Sequence, residues 1–438
     1  MGLAAGLTIT GGTAYADDKK QEGTVKTAPR EDEVKPKSPP VKVGVIGLGA
    51  QGQEIVRSLK RMGTGAPVVA LCDTFTKASF VKKSTDLLEN PSVMFESDYR
   101  KLLDDKNIQA VVIATPSHKH KQIALDALQA GKHVYLEMPL ASNLEEAKAI
   151  AQAGLAAKTV FHPGLQMRSN MQYHHVLHFV NGKEAVGQIT MVRSQFHQKT
   201  SWKRAWPTDE RQAELNWRLK QETSLGLLGE VGIHSLDVAN WFLHDLPVAI
   251  SGQGRIAVYK EDGRDIQDVV QVTVEYDHKE FGHVRMIYDA TLTNSFDGQY
   301  DAFYGTNSAV QMRDQRAWMF KESDALSLGW ETFARKDVYS IGKPENGSGL
   351  KMGEGIALVA DASKQIAAGK QPGAVGTDVS KTSLYQSLDN FLDVVRGAVK
   401  PWVGALEGYQ ATVMAAKANE ACLKNTRLEL SKDMFTLS

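Results

Sequence analysis

A glycine-rich turn between a short apolar strand and a helix constrains the fold of this chain more than any other feature. Residues 41–46, VKVGVI, are rich in β-branched side chains and predict a buried strand. Residues 47–52, GLGAQG, follow directly and fit the pattern G-x-G-x-x-G ahead of apolar residues at helical spacing. Gly47 permits a tight turn, Gly49 lets a phosphate approach the backbone, and Gly52 lets the helix pack on the strand. This order predicts a dinucleotide cradle with the pyrophosphate at the helix N-terminus.

An acidic residue ends the next predicted strand. The stretch PVVALCD ends at Asp73, which lies about twenty residues after the last glycine of the turn. An acid at this place binds the adenosine ribose hydroxyls and repels a 2′-phosphate, so the sequence favours NAD over NADP, although Lys77 is nearby. A Rossmann-like domain that binds no nucleotide stays the alternative.

Bulk composition narrows the function classes. The 438 residues are long enough for two domains or more, and the formal net charge is zero. A zero net charge argues against a basic surface that binds nucleic acid and against attraction to anionic membranes. The cysteines are Cys72, in an apolar run, and Cys422, and no Cys/His spacing typical of a metal site is present. We therefore expect neither a disulfide framework nor a metal site.

The first forty residues have the pattern of a secretory leader followed by a flexible tether. Residues 1–16 carry no charge and end in Ala14-Tyr15-Ala16, a small-x-small pattern typical of a secretory cleavage site. The positive n-region of a signal is missing, so a disordered apolar tail stays the alternative. The stretch is too short to span a bilayer, and residues 17–40 are charged, Pro-containing and unable to bury enough surface to fold. We expect export to the periplasm, or a cytoplasmic location if the leader is not a signal.

The segment after the second strand resembles a known family. In NIQAVVIATPSHKHKQIALDALQAGKHVYLEMPL, the runs AVVIAT and HVYLE predict strands, and residues 120–130 predict a helix between them. The segment resembles the Gfo/Idh/MocA oxidoreductases, whose pattern is T-P-x-x-x-H, a helix, and then A-G-K-H-V-x-x-E-K-P. The matching positions are Thr115, Pro116, His120, Ala130, Gly131, Lys132, His133, Val134, Glu137, Met138 and Pro139. The resemblance implies that Thr115 and Pro116 lie against the nicotinamide half of the cofactor and that Glu137 reaches the nicotinamide ribose. Gln51, His120 and Met138 complete the candidate cofactor contacts.

A second part of the family pattern lies further along the chain. It consists of W-R, a Gly-rich turn, D-x-G-x-H-x-x-D and a helix that ends in W. The positions that match it are Trp217, Arg218, Gly229, Glu230, Val231, Gly232, Ile233, His234, Asp237 and Trp241. The resemblance implies that the Gly-rich turn brings the backbone to the nicotinamide face and that Arg168, Trp217 and Arg218 contact substrate. Glu230 and His234 are four residues apart, which places them on one face of a helical turn, and both are candidate catalytic residues.

The remaining segments predict the second domain. Four stretches, QITMVRSQFHQ, PVAISGQGRIAV, QDVVQVTVEYD and FGHVRMIYDATL, alternate in polarity and predict a mostly antiparallel sheet with one covered face. Two C-terminal stretches with helical periodicity resemble the family's helices that return to the first domain. The predicted fold is α/β, with a doubly wound parallel Rossmann sheet at 41–160 and an α+β domain at 161–438. The resemblance implies a homodimer or homotetramer through the open sheet.

Met138 stands where the family's pattern has a lysine, and this changes the expected chemistry. Oxidation of an alcohol removes a hydride from carbon and a proton from oxygen, so some group must take the proton. A thioether holds no proton, which leaves His234, with an unperturbed pKa near 6.5, as the best acid–base candidate. Trp206, in TSWKRAWP, either stacks on a sugar ring or packs in a core.

Three hypotheses follow. The favoured one is an NAD-dependent oxidoreductase acting on a sugar, polyol or glycoside. In the second, bound NAD serves a redox-neutral glycoside cleavage by oxidation, elimination and reduction, because family members of that type have an apolar residue at the lysine position. The third is a non-catalytic NAD-binding sensor or scaffold. Export favours a tightly bound cofactor, since the compartment outside the inner membrane offers no free NAD pool.

Overall fold

The first domain is a six-stranded parallel sheet with helices on both faces. A computed structural model describes residues 39–340 and 351–438, except 91, 183 and 314. Residues 1–38, which include the expected leader and nearly all of the tether, lie outside the described residues. The elements of this domain are β1 (Val43–Ile46), α1 (Ala50–Arg61), β2 (Val68–Cys72), α2 (Ala78–Asp86), β3 (Met94–Glu96), α3 (Tyr99–Asp104), β4 (Ala110–Ile113), α4 (His120–Gln129), β5 (His133–Leu136), α5 (Leu144–Ala156) and β6 (Phe161–Pro163).

The strand order of this sheet is β3-β2-β1-β4-β5-β6, which is the order of a doubly wound dinucleotide-binding fold. Strands β2 and β3 are therefore added on one side of β1, and β4 to β6 on its other side, so the order of strand addition reverses between β1 and β4. Ile46, at the end of β1, lies level with Cys72 on β2 and Ile113 on β4. The loops that follow these strands consequently open on one edge, and ligands bind at that edge in such sheets. The predicted Rossmann sheet is confirmed, and its sixth strand lies just beyond residue 160, where the domain boundary was drawn.

The second domain is built on a ten-stranded sheet. Its elements are α6 (Met171–Asn181), β7 (Ile189–His197), α7 (Gln212–Leu215), α8 (Ile233–Leu243), β8 (Ala249–Arg255), β9 (Val269–His278), β10 (Gly282–Thr291), β11 (Gln299–Gly305), β12 (Ser308–Arg313), β13 (Arg316–Lys321), β14 (Lys336–Ser340), β15 (Lys351–Leu358), α9 (Ala362–Ala367), α10 (Ser383–Val395), α11 (Ala405–Lys424) and β16 (Arg427–Glu429). The order is β14-β15-β13-β12-β11-β7-β10-β9-β8-β16. β7 and β10 pair in parallel and the other strand pairs of this sheet, among the described residues, are antiparallel, so the prediction of an open, mostly antiparallel sheet is confirmed.

Alternation along the central strands separates a covered face from an open one. On β9, Val270, Val272, Val274 and Tyr276 are buried, while Gln271 between them is exposed. α8 and α11 pack on the covered side, where the buried side chains of the sheet join the main hydrophobic cluster. This packing fixes the position of α8, and with it His234, on the covered face of the sheet.

The C-terminal helices complete the core of the first domain. Leu388 and Phe391 of α10 belong to the same buried cluster as Val43 and Ile55 of the Rossmann sheet and α1. The hydroxyl of Tyr135 on β5 donates a hydrogen bond to Ser387 Oγ at 3.1 Å. α11 packs on α5 and α8, so it contacts both domains. Among the described residues, none of the helices has the length and apolar character needed to cross a bilayer.

Candidate active site

The glycine turn leaves room for a ligand at one position only. Gly47 has φ +93°, and a Cβ there would lie 2.7 Å from the carbonyl oxygen of Ala114. A Cβ on Gly52 would lie 1.9 Å from the carbonyl oxygen of Gly47, so this glycine lets α1 meet the turn. A Cβ on Gly49 would meet nothing within 4 Å. The turn is thus closed by packing on two sides and open above Gly49, at the N-terminus of α1, where a pyrophosphate fits.

Asp73 is fixed at the adenosine end of this turn. Its carboxylate accepts the N–H of Leu48 at 2.8 Å and the N–H of Phe75 at 2.9 Å. Partial burial raises the pKa of Asp73, and the two N–H donors oppose that rise. The carboxylate keeps free lone pairs, because each oxygen accepts one of these bonds, and it can still receive ribose hydroxyls.

The loop after β4 is tied to the loop after β5 by one imidazole. His120 is 1% exposed, and its Nδ1 lies 3.0 Å from the carbonyl oxygen of Pro139 while its Nε2 lies 2.9 Å from that of Thr115. Burial lowers the pKa of His120 to about 4, against the effect of these carbonyls. The neutral imidazole carries one N–H, so His120 donates to the carbonyl of one loop and packs against the other loop. Its neighbour Thr115 has a buried hydroxyl with no hydrogen-bond partner, and half-exposed Pro116 follows it.

Glu137, directly after β5, carries a buried carboxylate into the crevice. It is 8% exposed and accepts a hydrogen bond from Gln51 Nε2 at 3.0 Å and another from Gln166. A Cβ on Gly164 would lie 3.1 Å from Glu137 Oε2, so that glycine leaves room for the carboxylate. Burial raises the pKa of Glu137 to about 7, and the donors oppose the rise.

The neighbouring Met138 has a different environment. It is 9% exposed and belongs to the main hydrophobic cluster. Its side chain therefore contributes packing, and the position of the family's lysine holds no group that can transfer a proton.

An ion pair of the second domain lies beside the loop after β4. Arg218 Nε donates to Glu230 Oε2 at 2.7 Å, and the Glu230 side chain is 3% exposed. Glu230 Oε1 also accepts Ser224 Oγ at 3.1 Å and, at the long distance of 3.4 Å, Ser117 Oγ. The Arg218 guanidinium lies 4.9 Å from the ring centre of Trp217. This arrangement uses the Glu230 carboxylate to hold Arg218 and the serines in place.

His234 lies one residue inside α8, after a π-helical turn at Leu228–Gly232. The sequence predicted an ordinary helical turn or glycine loop here. A Cβ on Gly229 would lie 2.4 Å from Leu225 Cβ, and one on Gly232 would lie 3.1 Å from the Tyr288 ring, so both glycines permit packing within the second domain. His234 is half-buried, its Nδ1 has no hydrogen-bond partner, and burial lowers its pKa to about 4. The imidazole is consequently neutral at pH 7 and can accept a hydrogen bond.

The other predicted substrate residues are placed differently. Arg168 makes a bidentate pair with Asp237, with Nε–Oδ2 and Nη2–Oδ1 distances of 2.8 and 2.9 Å, and its guanidinium lies 5.6 Å from the Trp241 ring centre. It therefore anchors α8 through a residue one turn after His234. Trp206 donates to Asp209 at 3.3 Å and lies under the Lys203 ammonium at 5.9 Å, so both contacts are with residues of its own loop.

Sequence reasoning missed several polar residues of the site. Gln166, Ser117 and Ser224 contact Glu137 or Glu230, and Arg211 acts on Asp73. Ser117 directly follows the Thr115-Pro116 pair, so its place in the sequence could have indicated a position in the site. The other three lie in segments for which no local pattern was identified. The residues present fit a dinucleotide: the space above Gly49, the unpartnered hydroxyl of Thr115 and the fixed carboxylate of Asp73 follow one edge of the sheet.

A doubly wound sheet with a dinucleotide cradle, followed by a second domain built on an open sheet, is the architecture of a two-domain dinucleotide-binding protein. Residues 41–165 match the profile described as the Gfo/Idh/MocA oxidoreductase family, NAD-binding Rossmann fold. Residues 180–310 match the profile of the Gfo/Idh/MocA C-terminal domain. The chain belongs to the Gfo/Idh/MocA family.

Curated relatives are similar to parts of the chain. An inositol 2-dehydrogenase/D-chiro-inositol 3-dehydrogenase of Shouchella clausii is 29% identical over 47% of the chain, and the match spans 54% of that protein. A levoglucosan dehydrogenase of Pseudarthrobacter phenanthrenivorans is 24% identical over 76% of the chain and 83% of its own length. A glycosyl hydrolase family 109 protein of a Shewanella strain is 34% identical over 33% of the chain and 34% of its own length. The solved levoglucosan dehydrogenase complex with NADH and levoglucosan superposes with a TM-score of 0.67 at 19% identity, over 90% of this chain and all of that one, which shows the shared fold.

Proposed function

We propose that this protein is an NAD-dependent oxidoreductase that transfers a hydride between the cofactor and a sugar, polyol or glycoside. The observation that carries the proposal is the convergence of Glu137, the Arg218–Glu230 pair and Ser117 at one end of a crevice whose other end holds Asp73. A dinucleotide that spans these two ends brings its nicotinamide to the polar cluster.

The cofactor, when bound, supplies the hydride acceptor and donor of the reaction. The chain's own residues hold and orient the reactants. Arg218, 39% exposed at its side chain and fixed by Glu230, presents donors to substrate oxygens. Neutral His234 accepts a hydrogen bond from the reacting hydroxyl, and its low pKa makes it a poor final holder of the proton.

Carbohydrate substrates suit this polar cluster. The relatives named for inositol and levoglucosan support the class, and a ring with several hydroxyls matches an arginine, an imidazole and two carboxylates in one crevice. The test is a screen of free sugars, inositols and anhydrosugars with added NAD, followed as NADH formation. Reduction of NAD by at least one polyhydroxy compound, and none with simple alcohols, is the expected result. Absence of NADH formation with every compound of the screen would overturn the proposal of net substrate oxidation.

Met138 favours a second candidate, redox-neutral cleavage of a glycoside with NAD that is used and regenerated in place. Its side chain is packed in the apolar core, so the crevice lacks the lysine that net alcohol oxidation uses in the family pattern. The partial similarity to the glycosyl hydrolase family 109 protein supports the same route. Release of an aryl alcohol from aryl glycosides without external NAD would favour this candidate over the dehydrogenase. Silence in both assays would leave a non-catalytic NAD-binding protein.

Tight retention of the cofactor is part of the proposal. Residues 209–215 of the second domain, which we term the adenosine strap, contact the loop after β2. Thr74 Oγ1 donates to Glu214 Oε1 at 2.8 Å, and the Arg211 guanidinium lies 4.4 Å from the Phe75 ring centre, beside Asp73. A strap across the adenosine end slows dissociation of a dinucleotide. Protein purified without added cofactor should release about one nicotinamide dinucleotide per chain on acid precipitation, and Arg211→Ala should release less. An empty wild-type protein would contradict retention.

Assembly and export complete the proposal. The open face of the large sheet presents exposed Ile287 and Arg193 beside a depression of about 550 Å³, a surface suited to a homodimer or homotetramer contact. Light scattering of the wild type against Ile287→Glu tests this, since the variant should shift toward monomer.

Export is supported by the Ala14-Tyr15-Ala16 pattern alone. Cell fractionation of the full chain tests it, and a cytoplasmic signal with an uncleaved N-terminus would reject it.

A further inference from the structure

Glu137 lies on the nicotinamide side of the crevice. Asp73 follows β2, the glycine turn follows β1 and Glu137 follows β5, so the three mark successive places along one sheet edge. Because the acid after β2 binds the adenosine ribose, the opposite half of a dinucleotide lies toward β4 and β5. The bond from Gln51, at the start of α1, ties the Glu137 carboxylate to the pyrophosphate cradle itself.

The neighbours of this carboxylate leave its charge uncompensated. Gln51 and Gln166 are neutral amides, and the remaining donor is the backbone N–H of Met138. Arg218, the cation that acts on Glu137, is already paired at 2.7 Å with Glu230.

The aromatic neighbours on the adjoining strands are neutral. Burial raises the pKa of the Tyr135 phenol far above its ordinary value and lowers that of His162, stacked on it, to about 3. Glu137 is thus a buried carboxylate without a cation of its own, and the cost of its ionisation depends on what enters the crevice.

We propose that Glu137 is the proton carrier of this site, ionised beside oxidised nicotinamide and protonated beside reduced nicotinamide. This inference rests on the proposed function, since it requires nicotinamide in the crevice. A cationic ring next to the carboxylate makes a neutral pair, and after reduction of the ring the carboxylate would be an isolated buried charge. Glu137 therefore loses its proton when NAD⁺ binds and gains one on reduction.

The step balances. The alcohol C–H bond breaks and its electron pair leaves with hydrogen to the nicotinamide, while the O–H bond breaks and its proton ends on a Glu137 carboxylate oxygen. The carbon is oxidised to a carbonyl, the ring is reduced, and the summed charge of ring and carboxylate stays zero. The burial-raised pKa of Glu137, about 7, lets both protonation states exist near neutral pH.

The test uses the full chain stripped of cofactor, with binding as the readout. Calorimetric titrations with NAD⁺ and with NADH in two buffers of different ionisation enthalpy, between pH 6 and 8, give proton release and both dissociation constants. We expect NAD⁺ binding to release up to one proton below pH 7 and its Kd to rise by up to about tenfold per pH unit as the pH falls. The Kd of NADH should change in the opposite direction. In Glu137→Gln both Kd values should be flat, and an infrared difference spectrum should lose the protonated-carboxyl band that NAD⁺ removes in the wild type.

Two further variants keep the inference falsifiable. Gln51→Leu retains Glu137 but removes a donor that lowers its pKa, so the break in the NAD⁺ profile should move to higher pH. His234→Asn should leave proton release unchanged. Proton release that persists in Glu137→Gln, or that disappears in His234→Asn, would assign the proton elsewhere and overturn the inference. NAD binding without any pH linkage would overturn this inference alone, whereas absence of NAD binding would overturn the proposed function with it.

Discussion

The adenosine half and the nicotinamide half of the crevice are built in different ways. The adenosine half consists of backbone: glycines fixed by close packing, and an acid held by the N–H groups of Leu48 and Phe75. The nicotinamide half consists of side chains, with Glu137 contributed by the first domain and Arg218, Glu230 and His234 by the second. The comparison teaches that recognition of the cofactor is local and sterically strict, whereas the chemistry depends on charges that tertiary packing brings together.

The strictness of the adenosine half is tested most severely at Gly52. A methyl group there would overlap the Gly47 carbonyl, so Gly52→Ala should abolish NAD binding and reduce the free energy of unfolding by about 3 kcal/mol or more. Gly49→Ala is the matched control, because its methyl group enters open space: it should fold normally and only weaken NAD binding. Urea unfolding and NAD titration of both variants provide the measurement. Equal stability of the two variants would contradict the assigned roles.

On the nicotinamide side, the largest effect should come from His234. His234→Asn removes the unpartnered neutral acceptor and should lower kcat by about 10²- to 10³-fold, with NAD affinity retained. Steady-state kinetics on the substrate found by the sugar screen, together with NAD binding, measure this. A fall in NAD affinity with unchanged kcat would place the imidazole in cofactor binding.

The buried ion pair predicts a smaller effect, on stability. Arg218→Met leaves the Glu230 carboxylate, 3% exposed, without its cation and should cost about 2 kcal/mol, a value reduced because the Arg218 side chain is 39% exposed. The double variant with Glu230→Gln should recover at least half of this loss. If the single and double variants unfold at the same denaturant concentration, the loss of stability does not come from the unpaired Glu230 carboxylate.

Glu137 should make stability depend on pH. Its pKa in the folded protein, about 7, lies above the value near 4.3 of an unfolded glutamate, so the folded state binds more protons between these values. The stabilising contribution of the proton is complete below about pH 4 and is lost as the pH rises through 7. Glu137→Gln should consequently melt a few degrees above the wild type at pH 8, with the difference shrinking toward pH 5. A pH-independent difference would contradict the raised pKa.

The smallest effect is expected at Met138. Met138→Leu conserves volume in a buried apolar site and should change the free energy of unfolding by less than about 1.5 kcal/mol. Chemical denaturation measures it. A larger loss would indicate that the thioether makes a specific contact that packing does not explain.

The same contrast explains how much could be predicted from the sequence. The glycine turn and Asp73 follow contiguous strand, turn and helix signals, so the parallel sheet was predictable. Four strands of the second sheet show two-residue alternation, but β11 to β16 carry weaker patterns and were missed, as were β3 and the sixth strand of the Rossmann sheet. The roles of Glu230 and Arg168 depend on partners twelve and sixty-nine residues away, Arg218 and Asp237, and no local pattern records such a pairing. The π-helical turn before His234 was likewise invisible, because its glycines serve contacts with Leu225 and Tyr288.

The return of α10 to the first domain has a consequence for synthesis of the chain. Leu384, Leu388, Phe391 and Leu392 fill the same cluster as β1 and α1, which are made more than three hundred residues earlier. A nascent chain that has completed the Rossmann sheet on the ribosome still lacks one wall of its apolar interior, so this half cannot reach its final stability during elongation. The nucleotide-binding half therefore matures only near the end of translation, and it relies on the last fifth of the polypeptide to shield its exposed face from aggregation.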